Sequence, residues 1–463
     1  MNERTSMKSI KSIVAAGAII WCHVISAQTV ATKLDQAVKN LMDTPAAYSA
    51  NLSVYVSDEN GKLVYEYNGN KGLSTASTQK IFTAACALET LGKEYRYTTT
   101  VSYSGNLSQG SLSGSLFVTS NGDPTLGSWR YESYKPENFK EKLIAALQEK
   151  GITSVDGDLV IDDSWFDFQT VPGGWPWNDM GNYYGAGVWG VNWRENQFDL
   201  KIRGNEVENS NVDMPGLSWV SELAVGGNSD QSLIFTAPHS EAALISGMLP
   251  GGKTMTVSGA NPNPPLSLGT EISGWLKSAG IRFNGNIITT SGQKLKGEKT
   301  AVVPKGNVLL LYASPPLEKM IYWLMRKSVN LYGETFVKTL AREKTGEGSF
   351  DAGIRYMKNF WKGKGINAAM INFADGSGLS PQNYVSARAE VQALLYARKQ
   401  PWFDVFYEGF PTQGNGMKMK SGTMKDTKSF AGYYKGYTFS IIINNYQGSN
   451  ISDALYKILN TLK

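Results

Sequence analysis

The sequence predicts an α+β fold whose antiparallel sheet is built from both ends of the chain and interrupted by a long, mostly β insertion. Three observations carry this. Helical periodicity appears near both ends, strand-like runs appear at 50–67 and again at 415–445, and from about 98 to 299 the texture changes to short strands and Gly/Asn/Ser turns. A chain of 463 residues is too long for one ordinary core, so two or three domains are expected.

From the start of the chain, Arg4, Lys8 and Lys11 precede an apolar run from Ile13 to Ile25 that ends at Ser26, Ala27 and Gln28. This is the layout of a secretory signal, residues 1–27, cut near Ala27. The run is short for a span, and nothing later approaches about 20 consecutive apolar residues. The mature chain is therefore expected to be exported and periplasmic, without a stable membrane span; a retained anchor is the alternative. A lipoprotein reading through Cys22 is weaker, because Trp21 stands where a small residue belongs.

Leu34, Ala37, Val38, Leu41 and Met42 then recur at helical spacing, and Pro45 marks the end. A hairpin follows, with strands at 50–57 and 62–67 joined through Asp58, Glu59, Asn60 and Gly61, where Asn-Gly suits a tight turn. A second helix begins at Thr75 to Ser77 and carries Ile81, Phe82, Ala85 and Leu88. Residues 98–299, with a Trp/Tyr-rich stretch from Trp165 to Trp193, read as material inserted between 28–97 and 300–463. Helical patterns return at Leu317–Met325 and Leu331–Leu340. Strand-like stretches at about 415–421, 429–434 and 437–445 follow, the last holding Phe439, Ile441 and Ile443, and a helix from Ser452 to Leu462 closes the chain.

Composition narrows the chemistry. At 41% hydrophobic and 18% charged the chain is globular rather than disordered. The formal net charge is +5, to which Arg4, Lys8 and Lys11 contribute from the leader, and no Lys/Arg run offers a grip on nucleic acid. Of two cysteines, Cys22 leaves with the leader, so Cys86 has no partner for an internal disulfide and reads as a buried small apolar residue. Of two histidines, His23 also leaves, and His239 sits in an Ala-Pro-His-Ser turn. A His-rich zinc site is excluded, no metal or other cofactor is expected, and the base of any nucleophilic chemistry is expected to be something other than imidazole.

Ser77-Thr78-Gln79-Lys80 is S-x-x-K at a helix start, where a rise of about 4.5 Å over three residues brings the amine within reach of the hydroxyl. A partly desolvated lysine that loses its proton can act as the base there. The motif alone is weak: Ser291-Gly292-Gln293-Lys294 also fits, in what reads as a polar turn. Ser328-Val329-Asn330 stands between two helical segments, where a hydroxyl could relay protons and an amide could hold a substrate backbone. Ser49-Ala50-Asn51 and Ser104-Gly105-Asn106 match that pattern too, so its position carries the information. Lys420-Ser421-Gly422-Thr423 lies on a terminal strand, where a lysine can meet a carboxylate and Gly lets a substrate lie close. Lys344-Thr345-Gly346 competes for that third place but reads as a helix stop.

These three motifs in this order resemble the serine DD-peptidase and β-lactamase superfamily. More narrowly, the chain is similar to the class C penicillin-binding proteins, D-alanyl-D-alanine carboxypeptidase/endopeptidases of the penicillin-binding protein 4 type. The narrower resemblance rests on Ala76–Lys80, Gly122–Leu126, Gly174–Asp179, Ser314–Leu317 and Asp375–Ser380, and spans nearly the whole mature chain. It implies a DD-peptidase-like domain, an antiparallel sheet flanked by helices, with two smaller domains inserted, the inner one at about 166–236. It implies that Ser77 attacks the penultimate D-Ala carbonyl of a peptidoglycan peptide with Lys80 as base, and that Ser328 protonates the departing D-Ala. Asn330 would orient the peptide, Lys420, Ser421 and Gly422 would bind the substrate, and the Ser77 and Thr423 N–H groups would form the oxyanion hole. β-Lactams would acylate Ser77. Asp179 matches a position near the substrate amine, or is a turn-forming Asp. Family members usually carry Thr where Ser421 stands and often a small polar residue where Val329 stands. Relatives that bind diaminopimelate often carry Arg where Pro381 stands, so recognition of its distal carboxylate is not implied.

The rivals are few. Gly247 through Thr254, with Lys253, matches a phosphate loop, but Met255–Gly259 is strand-like where a helix is needed and Pro250 interrupts the loop, so a hairpin turn without nucleotide is expected. A β-lactamase-like hydrolase or a non-catalytic cell-wall-binding protein are the alternatives within the resemblance.

Overall fold

The computed structural model describes residues 30–463 apart from 253, 305 and 306; the leader reading and Lys253 lie outside the described residues. A five-stranded antiparallel sheet runs in the order Leu63–Tyr67, Asn51–Asp58, Tyr437–Asn444, Thr427–Tyr434, Lys418–Met424. Its middle strand is apolar on alternate positions. Phe439, Ile441 and Ile443 point to one face, where Ile441 stands opposite both Val54 and Phe430. That face is covered by Leu34, Val38 and Leu41 of the helix at 30–42 and by Ile451, Leu455 and Ile458 of the helix Ile451–Leu459. Burying one apolar stripe from each end of the chain closes the sheet.

The opposite face packs on helices. Lys80–Leu91, Leu317–Arg326, Asn330–Thr345, Phe350–Gly363 and Ala387–Arg398 share one core with Ala431 and Tyr433 of the sheet. The helix Lys80–Leu91 is apolar or small on every side from Ile81 to Leu88, Cys86 included, which is the signature of a helix surrounded by protein. The mixed helix-and-sheet architecture expected from sequence is present.

Between the two halves of this body, a second five-stranded sheet runs in the order Ile287–Thr289, Leu159–Asp162, Leu116–Ser120, Thr98–Tyr103, Asn307–Ala313. Helices Pro136–Glu149 and Pro264–Ser278, which the sequence reading did not single out, bury Phe139, Leu143, Leu268 and Ile272 against it. A further core is built by two three-stranded sheets whose strands run from Gln197 to Ala260, with Phe198, Leu223, Ile245 and Val257 inside.

Two sequence expectations are corrected. Ala242–Pro250 and Met255–Ala260 do not form a hairpin: the first pairs with Ser218–Gly227 and Leu233–Phe235, the second with Gln197–Arg203. The link crosses between the two sheets so that Leu249 and Val257 enter one core. Ser291–Lys294 is not a polar turn but part of a short helix, Thr290–Leu295, started by the Thr289 hydroxyl accepting from the Gly292 N–H. Lys344 and Thr345 do end a helix, which Gly346 stops in the left-handed conformation (φ 79°).

The inserted part is tied to the helical core through a buried carboxylate. Glu195, itself in the left-handed region (φ 50°), accepts from the Ser128 hydroxyl at 2.6 Å, the Tyr332 hydroxyl at 2.7 Å and Arg130 Nε at 2.8 Å. Removing it strands a largely buried guanidinium and two hydroxyls. Glu195→Ala is expected to lower unfolding stability by about 3 kcal/mol, read in a urea titration; a loss below about 0.5 kcal/mol would show that water replaces the carboxylate.

Candidate active site

The S-x-x-K segment begins as a tight 3-10 turn, Ala76–Gln79, and becomes an α-helix at Lys80. Ala76 is held at φ 47°, a costly conformation for a residue with a side chain. Its surroundings enforce it: the Thr78 hydroxyl donates to Thr75 O at 3.0 Å, and the Ser429 hydroxyl, from the neighbouring strand, donates to the same oxygen at 2.6 Å. Strand Lys418–Met424 lies directly on this turn. A Cβ on Gly422 would fall 2.3 Å from Thr75 O and 3.0 Å from Ser77 N. Glycine is therefore required at 422 by the protein's own backbone, a closer constraint than the substrate approach expected from sequence.

Lys80 is wholly buried, and its Nζ contacts three acceptors: Asn330 Oδ1 at 2.6 Å, the Ser377 carbonyl at 2.7 Å and Ser77 Oγ at 3.0 Å. An ammonium satisfies all three by donation. The neutral amine keeps two donations, to Asn330 and Ser377, and turns its lone pair toward the Ser77 hydroxyl. Burial draws its pKa down from the ordinary lysine value to about 7, against the pull of the Asp375 and Glu334 carboxyls.

Ser328 and Lys420 form a second pair. Lys420 Nζ lies 3.0 Å from Ser328 Oγ and 2.9 Å from the Ser421 carbonyl. Ser328 sits at φ 59°, a left-handed residue that turns the chain sharply into the helix starting at Asn330. Burial holds the Lys420 amine well below its ordinary range, and the Lys80 and Lys428 cations push the same way. Thr423 is exposed beyond it, its hydroxyl accepting from Lys428 Nζ at 2.7 Å.

The amide of Asn330 is engaged at both ends, Oδ1 by Lys80 and Nδ2 by the Tyr184 carbonyl at 2.8 Å. Tyr184 in turn donates its hydroxyl to Asp179 Oδ1 at 3.2 Å. Asp179 is thus linked to Asn330 through Tyr184. It belongs to the short helix Trp177–Met180, and burial raises its pKa, against the Tyr184 hydrogen bond. His239 lies elsewhere, stacked on Phe168 at 5.1 Å and packed against Trp189. Among the described residues no group of His, Cys, Asp and Glu has the arrangement of a metal site.

Several residues here had no role assigned from sequence. The loop from Asp375 to Ser380 carries the carbonyl that holds Lys80, and Asp375 organises that loop. It accepts from the N–H groups of Gly378 (2.7 Å) and Ser380 (2.6 Å), from Asn383 Nδ2 (2.8 Å) and from the Trp175 indole (2.9 Å). Gln79 donates to the Asp375 carbonyl. Glu334, one helical turn after Asn330, accepts the N–H groups of Gly376 and Ser377. Its place at i+4 from Asn330 was readable from spacing; its partners were not. At Gly378 a Cβ would meet Ala76 O at 1.9 Å, so this loop and the 76–79 turn are in backbone contact.

Residues 34–462 match the family model described as the D-Ala-D-Ala carboxypeptidase 3 (S13) family. The chain is similar to a D-alanyl-D-alanine carboxypeptidase of an Actinomadura species, 27% identical over 90% of this chain and 82% of that one. It is similar to the D-alanyl-D-alanine carboxypeptidase DacB of Haemophilus influenzae, 25% identical over 84% of this chain and 81% of that one. Among solved structures it resembles penicillin-binding protein 4 of Haemophilus influenzae, with a TM-score of 0.75 and 25% identity over 89% of this chain and 95% of that one.

Burial of Lys80 has a measurable consequence for stability. Its folded pKa of about 7 lies below its unfolded value near 10.4. Between those values the unfolded chain binds the extra proton, so wild-type stability rises with pH through that window. Lys80→Met, which cannot titrate, lacks that rise. The melting temperature of the variant relative to wild type should be most favourable at pH 7 and fall steadily toward pH 9.5; a difference flat with pH would mean that the amine is not desolvated.

Proposed function

Because the chain belongs to the D-Ala-D-Ala carboxypeptidase 3 (S13) family, we propose that it cleaves D-alanyl-D-alanine ends, and D-alanyl cross-links, of peptidoglycan peptides through an acyl-enzyme on Ser77. It is a serine-type peptidase. The observation that carries the assignment of roles is the buried Lys80 amine 3.0 Å from the Ser77 hydroxyl.

Neutral Lys80 takes the proton of Ser77 as Oγ attacks the carbonyl of the penultimate D-Ala. The developing oxyanion lies toward the N–H groups of Ser77 and Thr423, which the approach of Gly422 to the turn brings alongside each other. The C–N bond then breaks. The departing amine takes a proton from the Ser328 hydroxyl, which Lys420 polarises at 3.0 Å, and Ser328 recovers a proton from the Lys80 ammonium, which returns that amine to its neutral form; the Lys420 ammonium faces the terminal carboxylate of the substrate, with Ser421 beside it. Asn330, with its Oδ1 on Lys80, acts chiefly by orienting the base. Water attacks the acyl carbonyl in the second half-reaction, and Lys80 again serves as base. Asp179, half-buried at the edge of the site, is suited to an amine of the substrate.

β-Lactams carry a strained amide in place of the D-Ala-D-Ala bond, and the proposed site takes them as slow substrates. Mass spectrometry after penicillin treatment is expected to find the adduct on Ser77, persisting for hours, with its rate of formation rising as pH passes through about 7, the value to which burial draws Lys80. An ordinary lysine would place that rise near pH 10. An adduct on another serine overturns the site; turnover within a second would make the chain a β-lactamase-like hydrolase.

No described helix is long and apolar enough to cross a membrane. We propose that the protein works in the periplasm, which the basic and apolar start of the chain supports. N-terminal sequencing of protein expressed with its leader should begin near Gln28; recovery of an intact Met1 end from the soluble periplasmic fraction would refute cleavage.

A further inference from the structure

The helix Asn330–Thr345 presents a buried polar row at four-residue spacing, Asn330, Glu334 and Lys338. Two of these have evident tasks. Asn330 holds Lys80, while Lys338 pairs with Asp167 at 2.7 Å, donates to the Gln169 carbonyl and so clamps the 165–170 segment to the helix. Glu334 lies between them, fully buried, and touches neither Ser77 nor Lys80 directly. Its carboxylate oxygens accept the Ser377 N–H at 2.8 Å and the Gly376 N–H at 3.0 and 3.2 Å. The next carbonyl along that chain, Ser377 O, receives Lys80 Nζ at 2.7 Å.

We propose that Glu334 is a positioning residue for the lysine base: by gripping two consecutive N–H groups of the 375–380 loop it sets the Ser377 carbonyl that, together with Asn330 from the same helix, aims the Lys80 amine at Ser77. The inference rests on the assignment of Ser77 and Lys80 made above. One rigid helix thereby supplies both of the acceptors that orient the base, Asn330 directly and Ser377 through Glu334. Other contacts anchor the loop on either side, Gln79 at the Asp375 carbonyl and Asp375 at the Gly378 and Ser380 N–H groups, while Glu334 holds the N–H of Ser377 itself. Gly376 packs closely on the same helix, since a Cβ there would meet Gly333 O at 2.5 Å, and the Thr83 hydroxyl takes the Gly376 carbonyl at 2.6 Å.

The charges around Glu334 give the role a readout that simple packing lacks. Lys80 faces it from the nucleophile helix, Asp375 from the loop and Lys338 from its own helix, and Lys420 faces Lys80 from the sheet. Burial, then Asp375, raise the Glu334 carboxyl, while the Ser377 and Gly376 N–H groups and Lys80 oppose the rise; both of its oxygens accept N–H groups, which is the pattern of the ionised carboxylate. Carboxyl and amine titrate as a pair, and an ionised Glu334 favours the protonated form of Lys80. Removing it lowers the pH at which Lys80 becomes a base.

The experiment is the pH profile of Ser77 acylation by a labelled penicillin in the full-length protein. Glu334→Gln, which keeps one acceptor oxygen but turns an NH2 toward the two N–H donors, should acylate about tenfold or more slowly, with the rising limb moved to lower pH by about half a unit or more. Glu334→Asp keeps the charge but is one methylene short; it should lose rate while keeping the wild-type limb. Wild-type rates in either variant, or a slowed Glu334→Gln with an unmoved limb, overturn the proposal, and if Glu334→Gln does not fold the rate of Glu334→Asp decides. Ser77→Ala separates the two readings: if it still forms the adduct, the site assignment fails, whereas if it abolishes the adduct that assignment stands and the Glu334 variants judge this one alone.

Discussion

The constraint on which the structure depends is the desolvation of one amine. Lys80 has no exposure to solvent, yet each of its three contacts is an oxygen set at hydrogen-bonding distance. Those oxygens come from its own helical turn, from the helix Asn330–Thr345 and from the 375–380 loop. A buried ammonium without such partners would cost several kcal/mol, and a fully compensated one would keep its proton too firmly to act as a base. The site lies between these limits because the carboxyls of Asp375 and Glu334 stand behind the acceptors rather than against the amine.

Placing three distant segments around one side chain requires close backbone packing. The glycines at 378 and 422 let the loop and the edge strand touch the 75–77 turn from two sides. Ala76 and Ser328 are held in left-handed conformations at the points where the chain must reverse to present a hydroxyl. Each such residue costs of order 1–3 kcal/mol, and the surrounding sheet and helices, closed by both ends of the chain, hold them there. This is why the domain needs its first and last residues together: the Ser429 strand that fixes Thr75 pairs with the strand Tyr437–Asn444, which in turn pairs with Asn51–Asp58.

What could be read from sequence follows the range of the interactions involved. The helix at 80–91, the terminal strands and the capping by Gly346 are local, and periodicity or a single residue type reveals them. The S-x-x-K pair was legible because both members lie on one turn of helix. Its meaning was not, since Ser291–Lys294 shows the same spacing, on a helix too; only the order of the three motifs along the chain separated them. The crossing between Pro250 and Met255 was misread as a hairpin because two adjacent strands give the same local pattern whether or not they pair. Glu334 escaped for the opposite reason. Its partners are backbone N–H groups, which every residue carries, so nothing in the side chains of the loop marks the carboxylate that binds it.

The two buried lysines show how the same residue type is kept to different tasks. Lys80 has carboxyls behind it and a hydroxyl in front; Lys420 has a hydroxyl, a carbonyl and the Lys428 cation around it, with no carboxyl among its strongest influences. Each cation raises the cost of charging the other, so the site resists holding both protons. Under the roles proposed above, a substrate carboxylate at Lys420 favours the charged form of that lysine and offsets its charge at the same time. The ion pair then adds little net positive charge beside Lys80, so the carboxylate position can fill without altering the state of the proposed base.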